Sequence, residues 1–279
     1  MVLVAELAAA SALIAIGPAA TRSPSAPPPV VSASAPLVVS DGRHVHGVRV
    51  DLVSLGGSRT DAVLERVSAA IGDAVGAVER FWGTDFQREI VVVATGSGEQ
   101  FVEYAGLDPK RGWTDIAAVA VADDVDFIGR TASGQRIILA PDAAAMSDTA
   151  LRIVLAHELF HLAARTGTAL DAPRWLTEGV ADFVARPPTA IPVGATAVLP
   201  SDAELDAGGA DLAAVYDRAW WFARFVADSH GTGTLRRLYA AACGPGHADL
   251  AAAVRQVIGT DLADLQRRWA QWMAQEARR

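Results

Sequence analysis

Apolar positions along this chain recur with two periods, and the change of period divides it. Residues 48–54 (VRVDLVS) alternate apolar and polar side chains and predict a strand. Glu89–Thr95 is a continuous β-branched run and predicts a buried one; Ala117–Ala122 and Arg136–Ala140 predict two more, separated by Asp- and Gly-containing turns. Helical spacing appears over Arg59–Trp82, with Asp61 as N-cap and Gly83 as stop, and over the short Gly98–Ala105. From residue 147 onward the helical period takes over. Ser147 or Asp148 caps one helix, which Gly167 stops. A second starts at Asp171 ahead of Pro173 and ends at Pro187 and Pro188. Residues 187–210 hold no strong periodicity and read as a loop. Helices are then predicted over Asp211–His230, Thr232–Ala242, Ala248–Ile258 and Asp261–Ala277. The pattern predicts an α+β fold: a small mixed sheet with helices (37–146), a helix pair at the junction (147–186) and an all-helical remainder (187–279), with a cleft expected between the halves.

The N-terminus reads differently. Residues 1–20 are apolar, most densely from Leu7 to Ile16, and residues 21–36 form a Pro/Ser/Ala-rich linker. An apolar core, small residues and a low-complexity spacer have the layout of an export signal. No basic residue precedes the core, and Glu6 interrupts its start. The run is short for a membrane span. The expectation is an extracytoplasmic protein, with the segment either cleaved or serving as a membrane anchor; a disordered Ala-rich tail is the alternative.

Composition narrows the classes further. The chain has 279 residues, 51% of them hydrophobic, enough to bury a sizeable core. Its net charge of −8, with no basic stripe, argues against a nucleic-acid partner. Cys243 is the single cysteine, so no intrachain disulfide forms, and it reads as a small buried apolar residue.

The candidate chemistry lies in the first junction helix. His157-Glu158-Leu159-Phe160-His161 is an H-E-x-x-H pattern within an apolar, helix-periodic run. Residues four apart share a helix face, so both imidazoles can bind one zinc ion while Glu158, beside them, serves as a base without ligating it. Burying three ionisable side chains in an apolar helix is costly unless they have partners. Glu178 follows His161 by seventeen positions, on a helix that can turn back to deliver it as a third ligand. Asp182 shares its face and can accept the second N–H of a ligating imidazole. His44 and His46 also alternate, as a second metal site or as exposed surface residues. Trp220, Trp221, Phe222 and Phe225 read as core.

HELFH followed by WLTEGVADF resembles the gluzincin metallopeptidases, in particular the compact peptidase MA-like domains. The resemblance extends from about Val48 to the C-terminus and is strongest over 149–185. The His-to-Glu spacing is a little shorter than in the thermolysin and aminopeptidase branches. The resemblance implies a zinc metallopeptidase acting on a peptide or protein. Zn2+ would be held by His157, His161 and Glu178, with Glu158 as general base. It also implies a donor to the oxyanion downstream of Glu178. Tyr216, His230, Tyr239 and His247 are the candidates, and Tyr216 resembles the Tyr that opens the corresponding family helix. An extended substrate would pair with an edge strand, either Ile137–Ala140 or Val119–Val121. Two alternatives stay open: a zinc hydrolase of a non-peptide amide or ester, and a non-catalytic zinc-stabilised binding module. The intact Glu158 argues against the module.

Overall fold

A computed structural model describes residues 37–279 except 111, 112, 114 and 115. The signal-like segment and the Pro-rich linker expected over 1–36 lie outside the described residues. Five strands form one sheet in the order β1 (Leu37–Val45), β2 (Val48–Ser54), β3 (Glu89–Ala94), β7 (Arg136–Leu139), β4 (Ala118–Val121). β2, β3 and β7 run parallel, and the outer strands β1 and β4 are antiparallel to their neighbours. β5 (Asp124–Asp126) and β6 (Thr131–Ser133) make a separate small hairpin between β4 and β7 in sequence.

Strand alternation builds two cores. Leu52, Ile90, Val92, Ala120, Ile137 and Leu139 face the larger one, while Val93, Val119, Val121 and Ile138 face a smaller one beneath α2 (Gly98–Ala105). The larger core receives α1 (Ser58–Trp82), whose Val63, Leu64, Val67, Ile71, Val75 and Val78 form a helical stripe. Next comes α3 (Asp148–Ala164), capped by the Ser147 hydroxyl, which accepts from the Ala150 amide. α3 carries apolar residues nearly all round because it is covered on several sides, by α1, by the β4 edge and by α4 (Arg174–Ala185). α6 (Leu212–His230) lies along α4, and α7 (Thr232–Cys243), α8 (Leu250–Ile258) and α9 (Leu262–Glu276) complete the helical half. The α+β architecture is therefore present. No helix among the described residues is long and apolar enough to cross a membrane.

Several local expectations are corrected. α1 begins at Ser58 after Gly57, so Asp61 lies in its first turn and does not cap it. α3 gives way at Ala164 to a 3₁₀ turn, Arg165–Gly167. The stretch 187–210 contains a short helix, α5 (Asp202–Ala207), closed by a reciprocal capping box between Ser201 and Glu204. Asp171 does not start α4. The first free amides of α4, Arg174 and Trp175, donate to the Asp202 carboxylate at 3.0 and 2.8 Å, so α5 caps α4 from 28 residues away. Ile137–Leu139 lies in the inner strand β7; of the two suggested edges, only β4 is one. Apart from Arg136, which opens β7, both strands are apolar throughout, so their composition does not distinguish an inner position from an edge covered by a helix.

Trp220, Trp221, Phe222 and Phe225 are buried, as is Cys243, whose thiol pKa burial pushes well up. His44 and His46 are exposed; His46 lies 3.3 Å from Glu79 in the turn after β1, and neither belongs to a metal-capable group among the described residues.

Candidate metal centre

Two antiparallel helices build the site. His157 meets both Glu178 and, one turn further along α4, Asp182, while His161 meets Glu178, so α4 runs back along α3. The approach of α4 to α6 is equally close. A Cβ at Gly179 would stand 2.5 Å from the Ala219 carbonyl oxygen, so the residue beside Glu178 has no side chain.

His157 Nε2 lies 3.1 Å from His161 Nε2 and 3.2 Å from Glu178 Oε2, and His161 Nε2 lies 3.6 Å from Glu178 Oε1. On its other side His157 donates Nδ1–H to Asp182 Oδ1 at 3.0 Å. That bond sets the tautomer and turns the Nε2 lone pair toward its neighbours. Lone pairs of two imidazoles and a carboxylate converging on one point repel unless a cation or proton lies among them. His157, His161 and Glu178 thus form a group able to hold a metal ion, with one ligand atom from each within 4.8 Å of the others.

The charges are perturbed as burial and proximity require. Burial opposes a charge on His157, but hydrogen bonds to Asp182 and Glu178 outweigh it and raise its pKa well above the ordinary value. Burial lowers His161. Burial also works against the Glu178 carboxylate, yet the two imidazoles pull its pKa down to about 2. Glu158 is fully buried; neither carboxylate oxygen makes a hydrogen bond of ordinary geometry, and the protein groups that favour its charge are the His157 ring, the Ala120 amide of β4 and the Arg165 guanidinium. Burial pushes its pKa up to about 7, with His157 opposing and Glu178 reinforcing.

Tyr216 is 5% exposed and belongs to the core on α6, the helix along α4. Tyr239 is committed elsewhere: its hydroxyl is 2.7 Å from that of Thr168, and its ring meets Trp82 and Phe160 edge-on. His247 donates Nδ1–H to the Ala248 carbonyl and lies 3.5 Å from Asp171. His230, at the C-terminal end of α6, packs against Phe225, and burial lowers its pKa.

The sequence reading missed two arginines beside the centre, Arg165 buried and Arg186 half-buried. Arg165, two turns beyond Glu158, donates to the Ala120 carbonyl of β4 at 2.8 Å and to Gln135 at 3.0 Å, joining the sheet edge to α3. Arg186, at the end of α4, contacts Asp182 and Asp217 at 3.1 and 2.9 Å. The spacing of Asp182 and Arg186, four apart, was the available signal for the second.

No protein-family model matches the chain, and no curated protein is significantly similar to it.

Proposed function

We propose that this protein is a zinc metallopeptidase of the gluzincin type, in which His157, His161 and Glu178 hold the metal and Glu158 is the general base. One observation carries the reading: three ligand atoms converge beside a wholly buried carboxylate whose oxygens make no hydrogen bond of ordinary geometry. The donor set fits zinc. Tetrahedral ligands at about 2.0–2.1 Å from one zinc ion stand about 3.3 Å apart, close to the 3.1 and 3.2 Å from His157 Nε2 to His161 Nε2 and Glu178 Oε2; His161 Nε2 lies 3.6 Å from the other carboxylate oxygen, Oε1. Asp182 on His157 completes the carboxylate–histidine arrangement that orients a zinc ligand. A site serving folding alone would close its fourth position with protein and has no use for a base.

Zinc, when bound, supplies a Lewis acid that activates water near neutral pH and polarises a scissile carbonyl. Glu158 takes the proton of the attacking water and returns it to the leaving amine. Burial, which pushes its pKa up to about 7, supports this role, because a base poised near neutral pH can both take and return the proton. Tyr216 is assigned as donor to the developing oxyanion; its position on α6 beside the Glu178 helix supports the assignment. The apolar run Leu7–Ile16 supports an extracytoplasmic site of action.

The test pairs a metal assay of the purified full chain with mass-spectrometric analysis of a digested peptide library. The expectation is about one zinc per chain and cleaved peptide bonds. Glu158→Gln should keep zinc and fold while losing roughly 10²–10⁴-fold in turnover. Glu178→Ala should lose the metal. Absence of zinc from the wild type, or full turnover by Glu158→Gln, refutes the proposal.

A further inference from the structure

Asp182 is not simply a carboxylate that happens to face His157. Its Oδ1 accepts from His157 Nδ1, and its Oδ2 accepts from Arg186 Nη1 at 3.1 Å. Arg186 spends a second nitrogen, Nη2, on Asp217 at 2.9 Å, and its guanidinium lies over the Trp220 ring, 3.9 Å from the centroid. The side chains of Asp182, Arg186 and Asp217 are 8%, 11% and 17% exposed, so this chain of charges is largely shielded from water. It runs from a metal-facing imidazole through the end of α4 into α6.

The placement has a chemical consequence. A carboxylate aims one oxygen reliably only when its other oxygen is also held. Arg186 does so with a planar fork whose second arm is fixed by Asp217 and whose face rests on Trp220, leaving it little freedom to swing. Burial makes the arrangement dependent on all of its members. Without the guanidinium, Asp182 would be a buried carboxylate with an unpaired oxygen and nothing to stop it rotating. Rotation loosens the bond that sets the tautomer and ring orientation of His157.

We infer that Arg186 is a positioning residue of the metal centre, which sets zinc affinity through Asp182 by holding that carboxylate in the orientation His157 requires. The inference rests on the zinc-site reading above. Its signature is non-additivity: a residue that acts only through Asp182 has nothing left to contribute once Asp182 is disabled.

The experiment measures zinc dissociation constants by chelator competition on the full chain for wild type, Asp182→Asn, Arg186→Met and the double variant. Circular dichroism and thermal melts check the fold of each. Methionine keeps an apolar stem over Trp220 and removes the fork. Asp182→Asn is expected to weaken zinc binding by roughly 10–100-fold, the usual cost of losing an outer-shell carboxylate. Arg186→Met should weaken it about 10-fold, toward the lower end of that range because it acts at one remove. The double variant should be no weaker than Asp182→Asn alone. Wild-type affinity in Arg186→Met, or losses that multiply in the double variant, would overturn the inference. If Arg186→Met does not fold, Arg186→Gln, which keeps an N–H donor without the charge, takes its place in the same cycle under the same criteria. Failure of the underlying reading looks different: the wild type itself would bind no zinc.

Discussion

Replacing Gly179 by alanine sets two effects of opposite sign against each other, and the structure says which wins. Gly179 lies mid-helix in α4, where alanine is intrinsically favoured by about 1 kcal/mol. An isolated helix would gain that amount. Here the new Cβ would meet the Ala219 carbonyl oxygen at 2.5 Å, its carbon at 2.6 Å and the Ala219 Cβ at 3.0 Å. Ordinary contact begins at 3.4 Å, so α4 and α6 would have to part by up to about 0.9 Å along this line. Two of the three obstacles are backbone, so no rotamer change relieves them. Both helices are also held elsewhere, α4 by Asp202 and the Arg186 contacts, α6 by the core around Trp220 and Phe222. Overpacking of this kind costs about 1–3 kcal/mol and occasionally more, and a strained helix pair belongs near the upper end. After subtracting the propensity gain, Gly179→Ala should destabilise the protein by about 1–2 kcal/mol. For a chain of this size that is a fall in Tm of roughly 2–8 °C by calorimetry. Glu178 is the adjacent residue, so zinc affinity should fall in the same variant, while Gly233→Ala, in α7 with only the tip of Arg237 near its Cβ, should not lower it. A Tm that rises in Gly179→Ala would show that α4 and α6 do not meet at this point, and would remove the reason given for the glycine beside Glu178.

Other outcomes are equally open to measurement. Asp202→Ala removes the acceptor for two amides of α4 and should cost about 1–2 kcal/mol in denaturant unfolding, whereas Asp171→Ala, at an exposed residue just before that helix, should cost little. Tyr216→Phe should lower kcat about 10²–10³-fold with zinc content and Tm unchanged; the same drop from His230→Ala instead would move the oxyanion assignment to His230.

What the sequence determined by itself was whatever depends on local geometry. The 3.6-residue period and the H-E-x-x-H spacing place His157, Glu158 and His161 together on α3 wherever that helix packs. The helical half was legible for the same reason: each helix carries its stripe and its stop within its own residues. α5 was missed although its signal is equally local, since Ser201 and Glu204 stand at capping-box spacing. Tertiary structure decided everything that joins residues far apart in the chain. Glu178 was expected to reach the histidines, but only the antiparallel return of α4 along α3 puts its carboxylate 3.2 Å from His157. The cap of α4 comes from Asp202, because a terminal amide accepts any carboxylate that packing brings near, regardless of sequence distance. β4 and β7 are alike in composition, and what makes β4 the edge is that α3 packs beside it, with Arg165 taking its Ala120 carbonyl. Arg186 and Asp217, 31 residues apart, could each be read as a surface charge. Burial under α6 and Trp220 makes them a pair, because a charge withdrawn from water must find a partner, and which partner it finds is set by packing.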